Sequence, residues 1–146
     1  MHAIETLRLG YDTVLTRIGA LPGLEGRLRE AVRDHVRAEL LRVKGFEESV
    51  LLPALEDAAP VLGAAAAGAS RELTYEVVRL LEAFASTPGD DARLQERADA
   101  LRTIVEASRD CNESVVYPLA EKVLGEEGLR SLDAQMRARA PEKSGG

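Results

Sequence analysis

The sequence predicts an all-α protein, an antiparallel up-down four-helix bundle made of two similar helical hairpins and closed by a short C-terminal helix. Three observations lead there. Ala, Leu, Glu and Arg dominate, all good helix formers, and 45% of residues are hydrophobic but only 3% aromatic. Alternating runs of Val, Ile, Thr and aromatics, the mark of strands, are missing. Finally, "FEESVLLPALEDA" at 46–58 and "CNESVVYPLAEKV" at 111–123 nearly repeat each other. A single helical hairpin cannot bury its apolar stripe, whereas two packed together can.

Turn signals cut the 146 residues into elements. "LPGLEG" (21–26) ends a first helix, "DAAPVLGAAAAGAS" (57–70) a second and "STPGDD" (86–91) a third. Ser70 and Asp90 are expected to cap the helices that follow. A fourth helix runs from about Ala92 to Val123, and "LGEEGLRSLDAQMRARA" reads as the closing helix. The hairpins then span 1–58 and 68–124. Val14, Leu15, Ile18 and Leu21 on the first helix match Val77, Val78, Leu81 and Phe84 on the third. One domain is expected over 1–140, leaving 141–146 as a flexible tail.

Charge narrows the function. At −6 net and a pI near 5.0, no basic face for a nucleic-acid backbone is expected. In "RLREAVRDHVRAELLRVK" the basic residues are interleaved with acids, as on a solvated helix. No apolar run reaches membrane-span length, and the start lacks a secretory pattern, so a cytoplasmic protein is expected. The single Cys111 excludes a disulfide framework and reads as a small hydrophobe at the edge of a stripe. His2 is expected in a mobile terminus.

Helical phase locates the polar residues that trespass on apolar stripes. The fourth helix carries Leu94, Leu101, Ile104, Val105, Val115, Leu119 and Val123, with Ser108 and Asn112 in their midst. The second carries Leu28, Val32, Val36, Val43, Phe46 and Val50, with Glu47 on the flank. Tyr11 faces inward on the first helix and Thr74 on the third, while Tyr75 faces out. Tyr11, Glu47, Thr74, Ser108 and Asn112 therefore fall at one level of four helices, where a bundle can hold a ligand or metal. His35 and Glu39, four apart on one face, form a second candidate metal pair or a buried hydrogen bond.

With these positions in place, the chain resembles the hemerythrin-like family, the HHE cation-binding domains. That resemblance implies two hairpins around a di-iron centre. The first and third helices each give one His, and the second and fourth each give His-x-x-x-Glu before a Leu-Phe-Pro-like phrase. "EESVLLPAL" and "NESVVYPLA" stand at those phrases, and the terminal helix matches the family's closing helix. Counting back from Pro53 and Pro118, the resemblance puts the His positions at Val43 and Ser108 and the Glu positions at Glu47 and Asn112. The remaining two His positions fall at Tyr11 and Thr74. Shifted by one residue, Glu48 and Glu113 would take the Glu positions, but phase turns both outward. Of six ligand positions Glu47 alone keeps its donor, and Tyr11 could still ligate ferric iron.

The resulting expectation is a hemerythrin-like bundle with a degenerate di-iron site, without cofactor, acting as a small-ligand-binding, sensing or partner-binding module. Iron held by Tyr11 and Glu47, for dioxygen or nitric oxide binding, is the alternative. An enzyme with Glu47 as acid or base in a polar core pocket is a further one. Replacement of large ligands by small residues is expected to leave a cavity between the helices.

Overall fold

The computed structural model describes residues 1–139, so the tail expected at 141–146 lies outside the described residues. Helix α1 (Ala3–Ala20) begins at His2, which is not a free end: its side chain accepts the Ile4 N–H at 3.2 Å while Glu5 accepts the His2 N–H, a reciprocal cap. A 3-10 turn (Leu21–Gly23) and Gly26, at φ 54°, lead into α2 (Gly26–Phe46). The second bundle helix continues through a π-helical turn (Glu47–Leu51) into α3 (Leu52–Ala58). After a break at Ala59, α4 (Pro60–Ala85) forms the third. The fourth is α5 (Arg93–Cys111), a second π turn (Asn112–Val116) and the start of α6 (Tyr117–Arg139). Gly125, at φ 66° and ψ −179°, breaks α6 and turns its remainder into the closing helix. No strand occurs among the described residues, and the expected four-helix bundle is the fold.

The connection expected at 57–70 is much shorter. Proline at the start of a helix supplies a suitable φ and loses no needed bond, so α4 begins at Pro60 and runs straight through the alanines. Ser70 is consequently no cap. It lies buried inside α4 with its hydroxyl unpartnered. Before α5 the capping oxygen belongs to Asp91 rather than Asp90, with Oδ1 accepting the Arg93 N–H at 2.8 Å.

The π turns explain the repeated phrase. In each, an N–H bonds five residues back, Leu52 to Glu47 and Tyr117 to Asn112. Pro53 and Pro118 follow immediately, and a proline ring inside a helix clashes with the carbonyl four residues before it. A wider turn relieves that clash. The serine four residues before each proline then takes up a carbonyl of the preceding turn, Ser49 to Gly45 at 2.6 Å and Ser114 to Asp110 at 2.7 Å. Glu-Ser-Val-x-x-Pro thus encodes a bulge, and the bulge advances the helical phase. Beyond it Val116, Tyr117 and Ala120 point inward, whereas Val115, expected in the stripe, is exposed. Leu28 is exposed as well, in the first turn of α2 at the end of the bundle.

The two hairpins are related by a pseudo-twofold, visible in exchanged ion pairs. Arg8 on α1 grips Glu113 of the second hairpin through two bonds of 2.9 and 2.7 Å. At the matching position on α4, Arg71 bonds Glu48 of the first hairpin at 2.9 Å and Glu56 at 2.8 Å. The closing helix is tied back by buried Asp133, which accepts from Thr6 on α1 and from Arg137.

Candidate functional site

The equator of the bundle holds a closed polar network in a largely apolar core. Tyr11 comes from α1, Lys44 from the last turn of α2, Glu47 and Asn112 from the first residues of the two π turns, and Ser108 from α5. All five are buried, Lys44 at 6% and Glu47 at 2% exposure. The phenol of Tyr11 donates to Glu47 Oε1 in a short hydrogen bond, and Asn112 Nδ2 donates to the same oxygen at 3.0 Å. The ammonium of Lys44 donates to Glu47 Oε2 at 3.1 Å and to Ser108 Oγ at 2.5 Å. Ser108 Oγ also lies 3.2 Å from the Tyr11 oxygen, and Lys44 Nζ sits 5.5 Å from the centre of the Tyr11 ring. Among the described residues, buried polar side-chain atoms without a partner belong to Arg29, Ser70 and Gln95, all outside this network.

Sequence phase points to four of these residues and misses Lys44, because a lysine beside an apolar stripe reads as a solvated side chain. The available signal is its spacing. Lys44 and Glu47 stand three apart, within reach on one helix face. Buried charges need a partner, so a carboxylate on a core-facing position calls for a cation one turn away.

Of the other expected site residues, Val43 packs instead of lining a hollow. A Cβ placed on Gly10 would come 2.3 Å from Val43 Cγ2, so glycine at position 10 lets α1 and α2 close over the valine. Thr74 does not join the network. Half-buried, it donates to the Ser70 carbonyl at 3.0 Å and lines a groove on the outside of the bundle. His35 and Glu39 do not pair either. Val36 and Leu40 take the inward positions, His35 is exposed, and Glu39 instead binds Arg42 at 2.5 Å. Three surface concavities are lined by residues outside the network, and at the equator the buried Lys44 and Tyr11 side chains both reach Glu47.

The electrostatics follow from this packing. Burial, followed by the charge of Glu47, pushes the Tyr11 phenol far above its ordinary value, and Tyr117 is raised by the same two causes. Burial also raises the Cys111 thiol, which disfavours a reactive thiolate. The donors at the equator do not fit a di-iron centre. Such a centre draws on several imidazoles and carboxylates, whereas here one carboxylate has both oxygens engaged and an ammonium stands against it. Among the described residues no group of three or more His, Cys, Asp or Glu is placed to hold a metal ion.

No protein-family model matches the sequence, and no curated protein matches it either. Among solved structures, the chain is similar to a hemerythrin HHE cation-binding domain-containing protein from Mycobacterium kansasii. The TM-score is 0.79 at 20% identity, with 95% of this chain and 85% of the other covered. Nearly the whole chain therefore has the fold of a hemerythrin HHE domain, with its equator built from Tyr11, Lys44, Glu47, Ser108 and Asn112.

Proposed function

We propose that this is a metal-independent member of the hemerythrin-like architecture, a binding module for a small molecule or partner protein whose di-iron site has been replaced by an internal ion pair. The observation that carries this reading is Lys44, whose ammonium lies 3.1 Å from the one carboxylate left at a ligand position. A positive charge held there repels a cationic metal and neutralises Glu47. Acid–base catalysis by Glu47 is disfavoured as well, because a residue 2% exposed offers a substrate no approach. The unpaired Cys111 fits a reducing compartment such as the cytoplasm.

Metal analysis of untagged protein, before and after anaerobic ferrous loading, tests the reading. The expected result is iron well below one per chain and a melting temperature indifferent to chelator. Iron near two per chain would overturn it. The alternative rests on the direct contact of Tyr11 with Glu47. It requires the phenol to lose its proton and Lys44 to swing away, and it predicts one iron per chain with a visible phenolate band that Tyr11→Phe abolishes.

A further inference from the structure

At the Tyr11 position the pseudo-twofold halves differ by a ring. Where α1 carries the buried Tyr11, α4 carries Thr74, and beside Thr74 the surface opens into a groove of about 330 Å³. That volume lies within the range of small-molecule sites, roughly 300–1,000 Å³. Arg71, Thr74, Tyr75 and Val78 line it from successive turns of one helix face, and Glu48 lines it from the first π turn. Tyr75 is 78% exposed, which leaves its aromatic face open at the rim.

The polar groups of the groove favour one chemistry. Arg71 is the cation in the lining, and each of its nitrogens already donates to a carboxylate: Nε to Glu48, and both terminal nitrogens to Glu56. Two carboxylates therefore share one guanidinium, and the rim is left negative. Thr74 spends its proton on the Ser70 carbonyl, which leaves its oxygen free only to accept. The groove presents acceptors, an open ring face and an apolar wall formed by Val78.

We propose that this groove binds a small organic cation carrying a ring, such as an arylalkylamine. The ring lies against Tyr75 and Val78, and the ammonium meets the Glu48 carboxylate and the Thr74 hydroxyl. An anion is repelled by the rim, and a neutral ring forgoes the charge-assisted bond and the attraction of a cation to the Tyr75 face. The proposal rests on the reading of the protein as a binding module. Metal content and groove occupancy are separate measurements, so either can fail alone.

The test is amide chemical-shift titration of the whole chain at neutral pH with phenethylamine, against p-cresol as the neutral ring and phenylacetate as the anion. Phenethylamine should give saturable shifts at Glu48 and along 71–78, with p-cresol about fivefold weaker or more, the worth of one partly exposed charge contact, and phenylacetate silent. Glu48→Gln should weaken the amine by a similar factor and erase its advantage over p-cresol. Thr74→Tyr, which fills the groove with the ring that α1 already carries, should abolish binding while keeping a dispersed spectrum. The proposal is overturned if the amine does not saturate, if phenylacetate or p-cresol binds as well, or if Glu48→Gln changes nothing. A folded Thr74→Tyr variant that still binds would overturn it too, and if that variant does not fold, Glu48→Gln decides alone.

Discussion

Lys44 and Ser108 meet across the bundle. The ammonium carried by the last turn of α2 lies 2.5 Å from a hydroxyl on α5, while its other bond goes to Glu47 on its own helix. One side chain thereby fastens the first hairpin to the second at the level where a metal would do so in a di-iron bundle.

Removing that side chain should be costly. Lys44→Met keeps the apolar stem but strands Glu47 as an unpaired buried charge, a change expected to cost about 3–5 kcal/mol. Adding Glu47→Gln removes the stranded charge and should recover most of the loss. Urea unfolding of the two variants measures both. A Lys44→Met protein as stable as the parent would show that the ion pair does not organise the core.

Two glycines should respond differently to the same mutation. Gly10→Ala drives a methyl into Val43 Cγ2, a side chain that can be trimmed. The expected cost is about 1–3 kcal/mol, with partial recovery on adding Val43→Ala. At Gly63 a Cβ would lie 2.1 Å from the Leu55 carbonyl oxygen, in backbone that cannot be trimmed. Gly63→Ala should therefore destabilise more and find no rescue from a side-chain change. Thermal melts of the three variants decide, and equal costs for both alanines would contradict the packing argument.

Alkali should expose the buried phenols late. Tyr11 and Tyr117 have folded pKa values raised by burial and by Glu47. An unfolded tyrosine ionises near pH 10. Their contribution to stability is thus complete below about pH 10 and declines above it, because only the unfolded state then releases the protons. In a jump to about pH 11.5, tyrosinate absorbance from these two residues should grow in step with the loss of helical circular dichroism. Tyr11→Phe and Tyr117→Phe should each remove part of the slow phase. Full tyrosinate absorbance while the helices persist would refute the shifts.

The bundle and its closing helix were legible because helical phase and proline and glycine punctuation are local signals. The misreadings have local causes too. Counting at 100° per residue runs through Glu47–Leu51 and Asn112–Val116 as if they were α-helical, and the added residue there moves the inward positions from Val115 to Val116 and Tyr117. Pro60 and the glycines at 63 and 68 resemble a loop, but a proline in the first turn starts a helix, and Gly63 marks close contact with α3. At the site, phase brought Tyr11, Glu47, Ser108 and Asn112 to one level, while the group that completes them was hidden by its charge. Thr74 shares that level in sequence phase, yet its short side chain turns to its own helix and leaves the groove beside it.

The crossed pairing of Arg8 with Glu113 and of Arg71 with Glu48 and Glu56 makes the molecule, in effect, a dimer written on one strand. Each of these links joins the two halves, and the backbone passes between them once, at Ala59. A chain severed there should remain associated as two subunits, with a stability that rises with concentration, as it does for any obligate pair. Residues 1–58 and 60–146 produced separately would then be complementing fragments, and mixing them would restore the helical spectrum that neither holds alone.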